Sequence, residues 1–158
     1  METVIEKAAK LLISKELSIA FAESATAGRA SAEFSLACNA GKFLKGGLVC
    51  YDALLKSELL KVPEELIEKY TPESMEVTRA IAKGLMKLIQ ADIHIGITGL
   101  PCPGGSESPE KPVGTMFIYA FYQNRQLFAE RAVFSGTHKE IVNHTVQHIA
   151  EMLLKHLI

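Results

Sequence analysis

Ser18-Ile19-Ala20-Phe21-Ala22 is a short apolar run that ends in Glu23-Ser24-Ala25-Thr26-Ala27-Gly28, and the stretch after it, to about Leu36, is alanine-rich. An apolar run, a polar turn closed by glycine and a helix-compatible segment spell strand, tight turn, helix. The same alternation recurs outward in both directions. Upstream, Glu2 to Lys15 places Val4, Ile5, Ala8, Leu11 and Leu12 on one stripe opposite Glu6, Lys7 and Lys10, the 3.6-residue period of an amphipathic helix. Downstream, a polar stretch with Gly41 leads into Gly46 to Tyr51, a buried-strand candidate, and Leu54, Leu55, Leu59 and Leu60 resume helical spacing. Pro63 suits the first turn of a helix through Leu66 and Ile67. Thr71-Pro72 is expected to cap and start the next, which carries Val77, Ala80, Ile81, Leu85 and Leu88.

Ala91 to Thr98 alternates as a strand does, then yields to Gly99 to Pro112, where prolines and glycines exclude regular structure. Long loops inside compact domains usually carry function. Gly114 to Tyr122 and Leu127 to Phe134 favour strands, with Gln123-Asn124-Arg125-Gln126 turning a hairpin between them. Thr137 to Glu140 has capping-box spacing, and Ile141, Thr145, Ile149, Met152 and Leu153 form the inner face of a last helix. No linker or repeat breaks this order. The expected fold is one α/β domain over residues 1–158, a three-layer α/β/α arrangement whose mixed, mostly parallel sheet includes an antiparallel hairpin.

Composition narrows the function classes. With 17 Lys+Arg, 18 Asp+Glu and 48% hydrophobic residues in 158, the chain can bury a full core without staples. A net charge of −1 without a basic run argues against a nucleic-acid partner. Cys38, Cys50 and Cys102 are odd in number and far apart, so they read as reduced thiols rather than a disulfide or metal framework. The beginning Met1-Glu2-Thr3 lacks the features of a signal peptide and no apolar stretch approaches the ~18 residues of a membrane span, so a cytoplasmic location is expected.

Ligands of open α/β sheets collect at the carboxyl ends of strands, where Glu23 to Gly28, Tyr51 to Lys56 and Thr98 to Lys111 are expected to converge. Ser24 and Thr26 open a helix whose unpaired N–H groups can hold an anion or developing oxyanion; either residue can equally serve as a plain cap. Lys56 lies about one turn into the next helix and can act as a base if burial lowers its pKa, while Tyr51 at the strand end can position a proton; a solvated Lys56 and a core-packed Tyr51 are the alternative. Pro103-Gly104-Gly105 can turn consecutive N–H groups toward a phosphate or carboxylate, or be surface loop only. His144 and His148, four apart, could share a metal with His138 or His156, but the zinc-protease glutamate is missing and they flank the inner stripe, so no metal site is expected.

Three segments together resemble one family. Ala22 to Gly28 resembles Ala-Glu-Ser-Cys-Thr-Gly-Gly. Phe43 to Lys56 resembles Phe-x-x-Gly-x-Val-x-Tyr-x-Asn-x-x-Lys, and Thr98 to Thr115 resembles Thr-Gly-Ile-Ala-Gly-Pro-x-Gly followed by Lys-Pro-Val-Gly-Thr. These are motifs of the carboxy-terminal domain of the competence/damage-inducible protein CinA, also found as a free-standing nicotinamide-nucleotide amidase. The resemblance implies hydrolysis of the carboxamide of nicotinamide mononucleotide to nicotinate mononucleotide and ammonia, without metal or other cofactor. It implies Ser24 as nucleophile, Lys56 as its base, Tyr51 as supporting hydroxyl, and Thr26, Gly28, Gly104 and Gly105 as residues that hold the small-molecule nucleotide. Family habit suggests a homo-oligomer.

The chain departs from the pattern at Ala25, Ala27, Ala53 and Pro101-Cys102, and has Thr137-His138 and Val142-Asn143 where the family usually carries arginines. If those arginines neutralise a phosphate, their loss removes charge-assisted hydrogen bonds of about 1.5–3 kcal/mol each. The alternative expectation is a catalytically silent relative that binds a small ligand or a protein. A DNA-acting role finds no basic surface.

Overall fold

Thr3 and Glu6 start the first helix by mutual capping: the Glu6 N–H donates to Thr3 Oγ1 at 3.1 Å and the Thr3 N–H to Glu6 Oε2 at 2.8 Å. A computed structural model describes residues Met1 to Ile158. After α1 (Val4–Ser14) come β1 (Ile19–Glu23), α2 (Arg29–Ser35), β2 (Leu44–Val49), α3 (Ala53–Leu60), α4 (Glu64–Tyr70), α5 (Met75–Leu85), β3 (Ile93–Gly99), β4 (Thr115–Tyr122), β5 (Arg125–Val133) and α6 (His138–Leu157).

The strands form one open sheet in the order β2-β1-β3-β4-β5. β1 runs parallel to β2 and β3, and β4 is antiparallel to both β3 and β5, so β4 alone opposes the others. Side chains alternate across the sheet as the period of two requires. Ile19 and Phe21 of β1 and Ile93, Ile95 and Ile97 of β3 join α1, α2 and α6 in the larger core, while Ala20 and Ala22 face α3 and α5. Burial of an apolar side chain such as Phe21 or Phe34 stabilises by roughly 1.5–3 kcal/mol. Helices thus cover both faces.

Three boundaries differ from the sequence reading. The helix expected to begin at Thr71-Pro72 begins at Met75, because Thr71 has φ +71° and Ser74 is the cap, its Oγ accepting from the Val77 N–H at 3.3 Å. The hairpin closes on two residues, not four: Gln123 adopts φ +55°, and Arg125 and Gln126 already pair with Tyr122 and Phe121. A positive φ at the first turn position suits the twist of a tight hairpin. Strand β2 starts at Leu44 because that residue pairs with Ile19, and Tyr51 falls beyond its end.

No helix is long and apolar enough to cross a membrane. The chain order places β1 between β2 and β3, so the connections leaving β1 and β3 diverge and open a crevice at their carboxyl ends. Helix α5 seats closely on the opposite face at Gly96, where an added Cβ would lie 2.4 Å from the Thr78 carbonyl oxygen. Gly96→Ala is therefore expected to destabilise the protein by about 1–3 kcal/mol, read as a lower urea midpoint at unchanged slope.

Candidate active site

Glu23, the last residue of β1, is fully buried and accepts four hydrogen bonds. Its Oε1 receives the Thr26 hydroxyl at 2.6 Å and the Ala30 N–H at 2.8 Å; its Oε2 receives the Ser31 N–H at 2.9 Å and hydroxyl at 2.7 Å. A carboxylate at the positive end of α2 thus caps the helix in place of an N-cap side chain, since the N-cap residue is Gly28. Neither Ser24 nor Thr26 has the capping role open to it from sequence. Ala27 (φ +47°) and Gly28 (φ +96°) form the left-handed corner that turns α2 back onto Glu23. The turn leaves the N–H groups of Ala25, Thr26 and Gly28 without acceptors in the protein.

Ser24 sits on this turn, buried, and meets Lys56 from the first turns of α3. The Lys56 Nζ lies 2.9 Å from Ser24 Oγ, 2.9 Å from the Cys50 carbonyl oxygen and 3.4 Å from that of Tyr51. As an ammonium it donates to all three. As a neutral amine its two N–H groups serve the two carbonyls, which can only accept, and its lone pair faces the hydroxyl proton of Ser24. Lys56 is 1% exposed and forms no ion pair. Burial pushes its amine below the ordinary lysine value, against the opposing pull of Cys50, Glu73 and Asp52. The Cys50 thiol beside it is pushed up by burial.

Two cavities meet here. One of about 220 Å³ is lined by Ser24, Ala25, Tyr51, Glu73 and the loop from Gly99 to Gly105. The other, about 720 Å³, is bounded by the turn from Ala25 to Arg29 and by Ala32, Tyr51, His138, Lys139 and Val142. Tyr51, 57% exposed, borders both, and its hydroxyl makes no hydrogen bond within the protein; its link to Lys56 is through the backbone carbonyl. The N–H groups of Gly104 and Gly105 turn toward an anion, as their sequence suggested, but that anion is the Glu107 carboxylate, at 2.9 and 2.8 Å.

The three expected segments therefore converge, and the structure adds residues that the sequence did not single out. Glu23 orders the turn, and Glu73 arrives from the α4–α5 connection. Lys111 latches the glycine loop to that connection, donating to Thr71 Oγ1 at 2.6 Å, the Glu73 carbonyl at 2.7 Å and Ser106 Oγ at 2.8 Å. Arg29, whose Nε pairs with Glu33 at 2.9 Å, and Lys139 line the larger cavity with cationic groups, and His138 lies beside them. His148 lines neither cavity, its Nε2 lying 3.4 Å from Glu130 Oε2.

Fold and site together define an open α/β domain that presents a buried serine–lysine pair at the switch point of its sheet. The chain belongs to the CinA family: the family model described as the CinA C-terminal domain matches residues 1–157. A CinA-like protein of Thermotoga neapolitana is 36% identical over 156 residues, 99% of this chain and 38% of that protein. One from Dictyoglomus thermophilum is 35% identical over 158 residues, again 38% of its length. The chain thus spans about two fifths of these curated relatives. Among solved structures, a CinA superfamily protein from Klebsiella pneumoniae superposes with TM-score 0.92 at 25% identity, covering 98% of this chain and 95% of that one. A competence or damage-inducible protein from Enterobacter asburiae gives 0.91 at 27% identity, covering all of both chains.

Two substitutions test the turn. Glu23→Gln replaces an acceptor pair with an amide whose NH2 faces the Ser31 or Ala30 donors, and a cost of about 2–3 kcal/mol is expected in chemical denaturation. Ala27→Gly relieves a left-handed alanine and is expected to stabilise by about 1 kcal/mol in the same measurement.

Proposed function

We propose that this domain is a metal-independent amidase that hydrolyses the carboxamide of a nicotinamide nucleotide, with Ser24 as nucleophile and Lys56 as base. The observation that carries the reading is the Lys56 amine, sealed from solvent at 2.9 Å from Ser24 Oγ and without a carboxylate partner. Such an amine is poised to lose its proton, and a serine hydroxyl beside it is poised to give one up.

Ser24 Oγ attacks the amide carbon as its proton passes to Lys56 Nζ, and the carbonyl oxygen becomes an oxyanion. The free N–H groups of Ala25 and Thr26 are the donors available for that charge. Lys56 then returns the proton to the amide nitrogen, the C–N bond breaks and ammonia leaves an acyl-serine. Water, deprotonated by the same amine, attacks the acyl carbon; Ser24 recovers its proton and the nicotinate nucleotide is released. Thr26 and Gly28 border the path of the substrate, and Tyr51 separates the small pocket for the carboxamide from the larger cavity for ribose and phosphate. Arg29 and Lys139 offer charge for the phosphate, and the His138 imidazole a further polar contact. Gly104 and Gly105 reach the substrate only when Glu107 yields their N–H groups.

Ammonia release from nicotinamide mononucleotide tests this directly. Ser24→Ala is expected to lower kcat by at least about 10³-fold and Lys56→Ala by about 10²–10⁴-fold. Absence of turnover in the parent at high enzyme concentration would overturn the reading in favour of a binding module; equal turnover in parent and Ser24→Ala would remove Ser24 as nucleophile.

The pH profile carries a sign. The base works as a neutral amine, so kcat/KM is expected to rise with pH through the Lys56 titration and level off above it. Because burial lowers that titration, the midpoint falls below the ordinary lysine value of about 10.4. A midpoint at or above that value would contradict the desolvated base.

A further inference from the structure

Glu73 contributes the one carboxyl group among the residues lining the pocket that holds Ser24. The rest of that lining is the turn at Ser24-Ala25, Tyr51 and the loop from Gly99 to Gly105. Glu73 forms no ion pair, although Lys111 is close: the Lys111 amine donates to the Glu73 backbone carbonyl, not to its carboxylate. Its Oε2 accepts the Ser106 hydroxyl at 2.5 Å, while Oε1 has no hydrogen-bond partner in the protein and lies against Gly105, 3.1 Å from where a Cβ would stand.

The direction of the Ser106 bond is settled by its neighbour. Lys111 Nζ donates to Ser106 Oγ at 2.8 Å, so the serine proton is free to go to Glu73. The chain Lys111 to Ser106 to Glu73 therefore fixes the carboxylate and leaves Oε1 as an unused acceptor at the pocket wall. A carboxylate only accepts. It suits a group that brings N–H donors and opposes another carboxylate.

We propose that Glu73 is a specificity-determining residue that makes the Ser24 pocket select primary amides and expel the carboxylate product. The inference rests on the amidase reading. Oε1 accepts an N–H of the carboxamide, keeping its nitrogen on the side from which Lys56 delivers a proton, and then accepts from the departing ammonia. Once the acyl-enzyme is hydrolysed, the new carboxylate faces Glu73, and like-charge repulsion favours its release. The same charge acts on Lys56, whose amine it pulls upward against the effect of burial.

The test compares nicotinamide mononucleotide with the methyl ester of nicotinate mononucleotide, which has no N–H, in the parent, Glu73→Gln and Ser106→Ala. In Glu73→Gln the Ser106 proton holds the amide oxygen, so an NH2 faces the pocket and meets the substrate donor with a donor. Amide kcat/KM is expected to fall about 10- to 100-fold while ester kcat/KM stays within about threefold. Calorimetric binding of nicotinate mononucleotide is expected to tighten about tenfold as repulsion gives way to donation. Ser106→Ala keeps the carboxylate but removes the bond that fixes it, so amide kcat/KM is expected to fall more than ester kcat/KM, by less than in Glu73→Gln; an unchanged ratio would show that the Ser106 bond does not position Glu73. Equal losses on amide and ester in Glu73→Gln, with product affinity unchanged, would reduce Glu73 to a loop anchor. A parent that hydrolyses neither substrate and binds no nicotinate nucleotide would overturn the amidase reading and the Glu73 role with it, a pattern distinct from the first.

Discussion

A buried carboxylate at the end of the central strand is the constraint on which the site depends. Glu23 has no contact with solvent, and a carboxyl group in that position is tolerable only because four donors converge on it. Those donors belong to the turn and to the first residues of α2. Satisfying the carboxyl group therefore dictates the path of residues 24–31, including the left-handed corner at Ala27-Gly28. The strain of a left-handed alanine is small against the cost of an unsatisfied buried carboxylate. What remains of the turn is a short arc of unused N–H groups with a hydroxyl at one end.

The second group works by the opposite logic. Glu23 is surrounded by donors, whereas Lys56 is surrounded by oxygens that a neutral amine can also satisfy. Desolvation then shifts the balance toward the uncharged form and holds the amine below the ordinary lysine value. The two residues lie on neighbouring strand-to-helix junctions, one at the end of β1 and one just after β2, and the parallel pairing of those strands brings both to the same rim. Between these extremes Glu73 is half-buried, tied at one oxygen and open at the other.

Local patterns made much of this legible. The apolar run Ser18 to Ala22 followed by a polar turn announced a strand-to-helix junction, and the five-residue step from Tyr51 to Lys56 placed an amine one turn into a helix beside it. What escaped depended on long-range geometry. The donors of Glu23 lie three, seven and eight residues ahead, a spacing that no capping pattern contains and that only the Ala27-Gly28 corner makes reachable. Glu73 was hidden because Thr71-Pro72 looked like a helix start, which would have buried the connection inside α5 instead of leaving it as a ledge over the pocket. The glycine loop was read either as a cradle for a phosphate or carboxylate or as surface loop only, and Glu107, three and two residues beyond Gly104 and Gly105, was a carboxylate in plain view that takes up both N–H groups. Arg29, His138 and Lys139 meet only because the starts of α2 and α6 lie at the same cavity.

The placement of charge has a consequence for how ionic strength acts on the molecule. His138 and Lys139 stand in open solvent at the mouth of the larger cavity, where mobile ions at physiological concentration damp fields beyond about 8 Å. The serine–lysine pair is buried and walled off from those ions. Added salt accordingly reaches the outer cavity alone: on the proposed amidase reading it weakens the hold on an anionic ligand there and leaves the contacts of the buried pair unscreened.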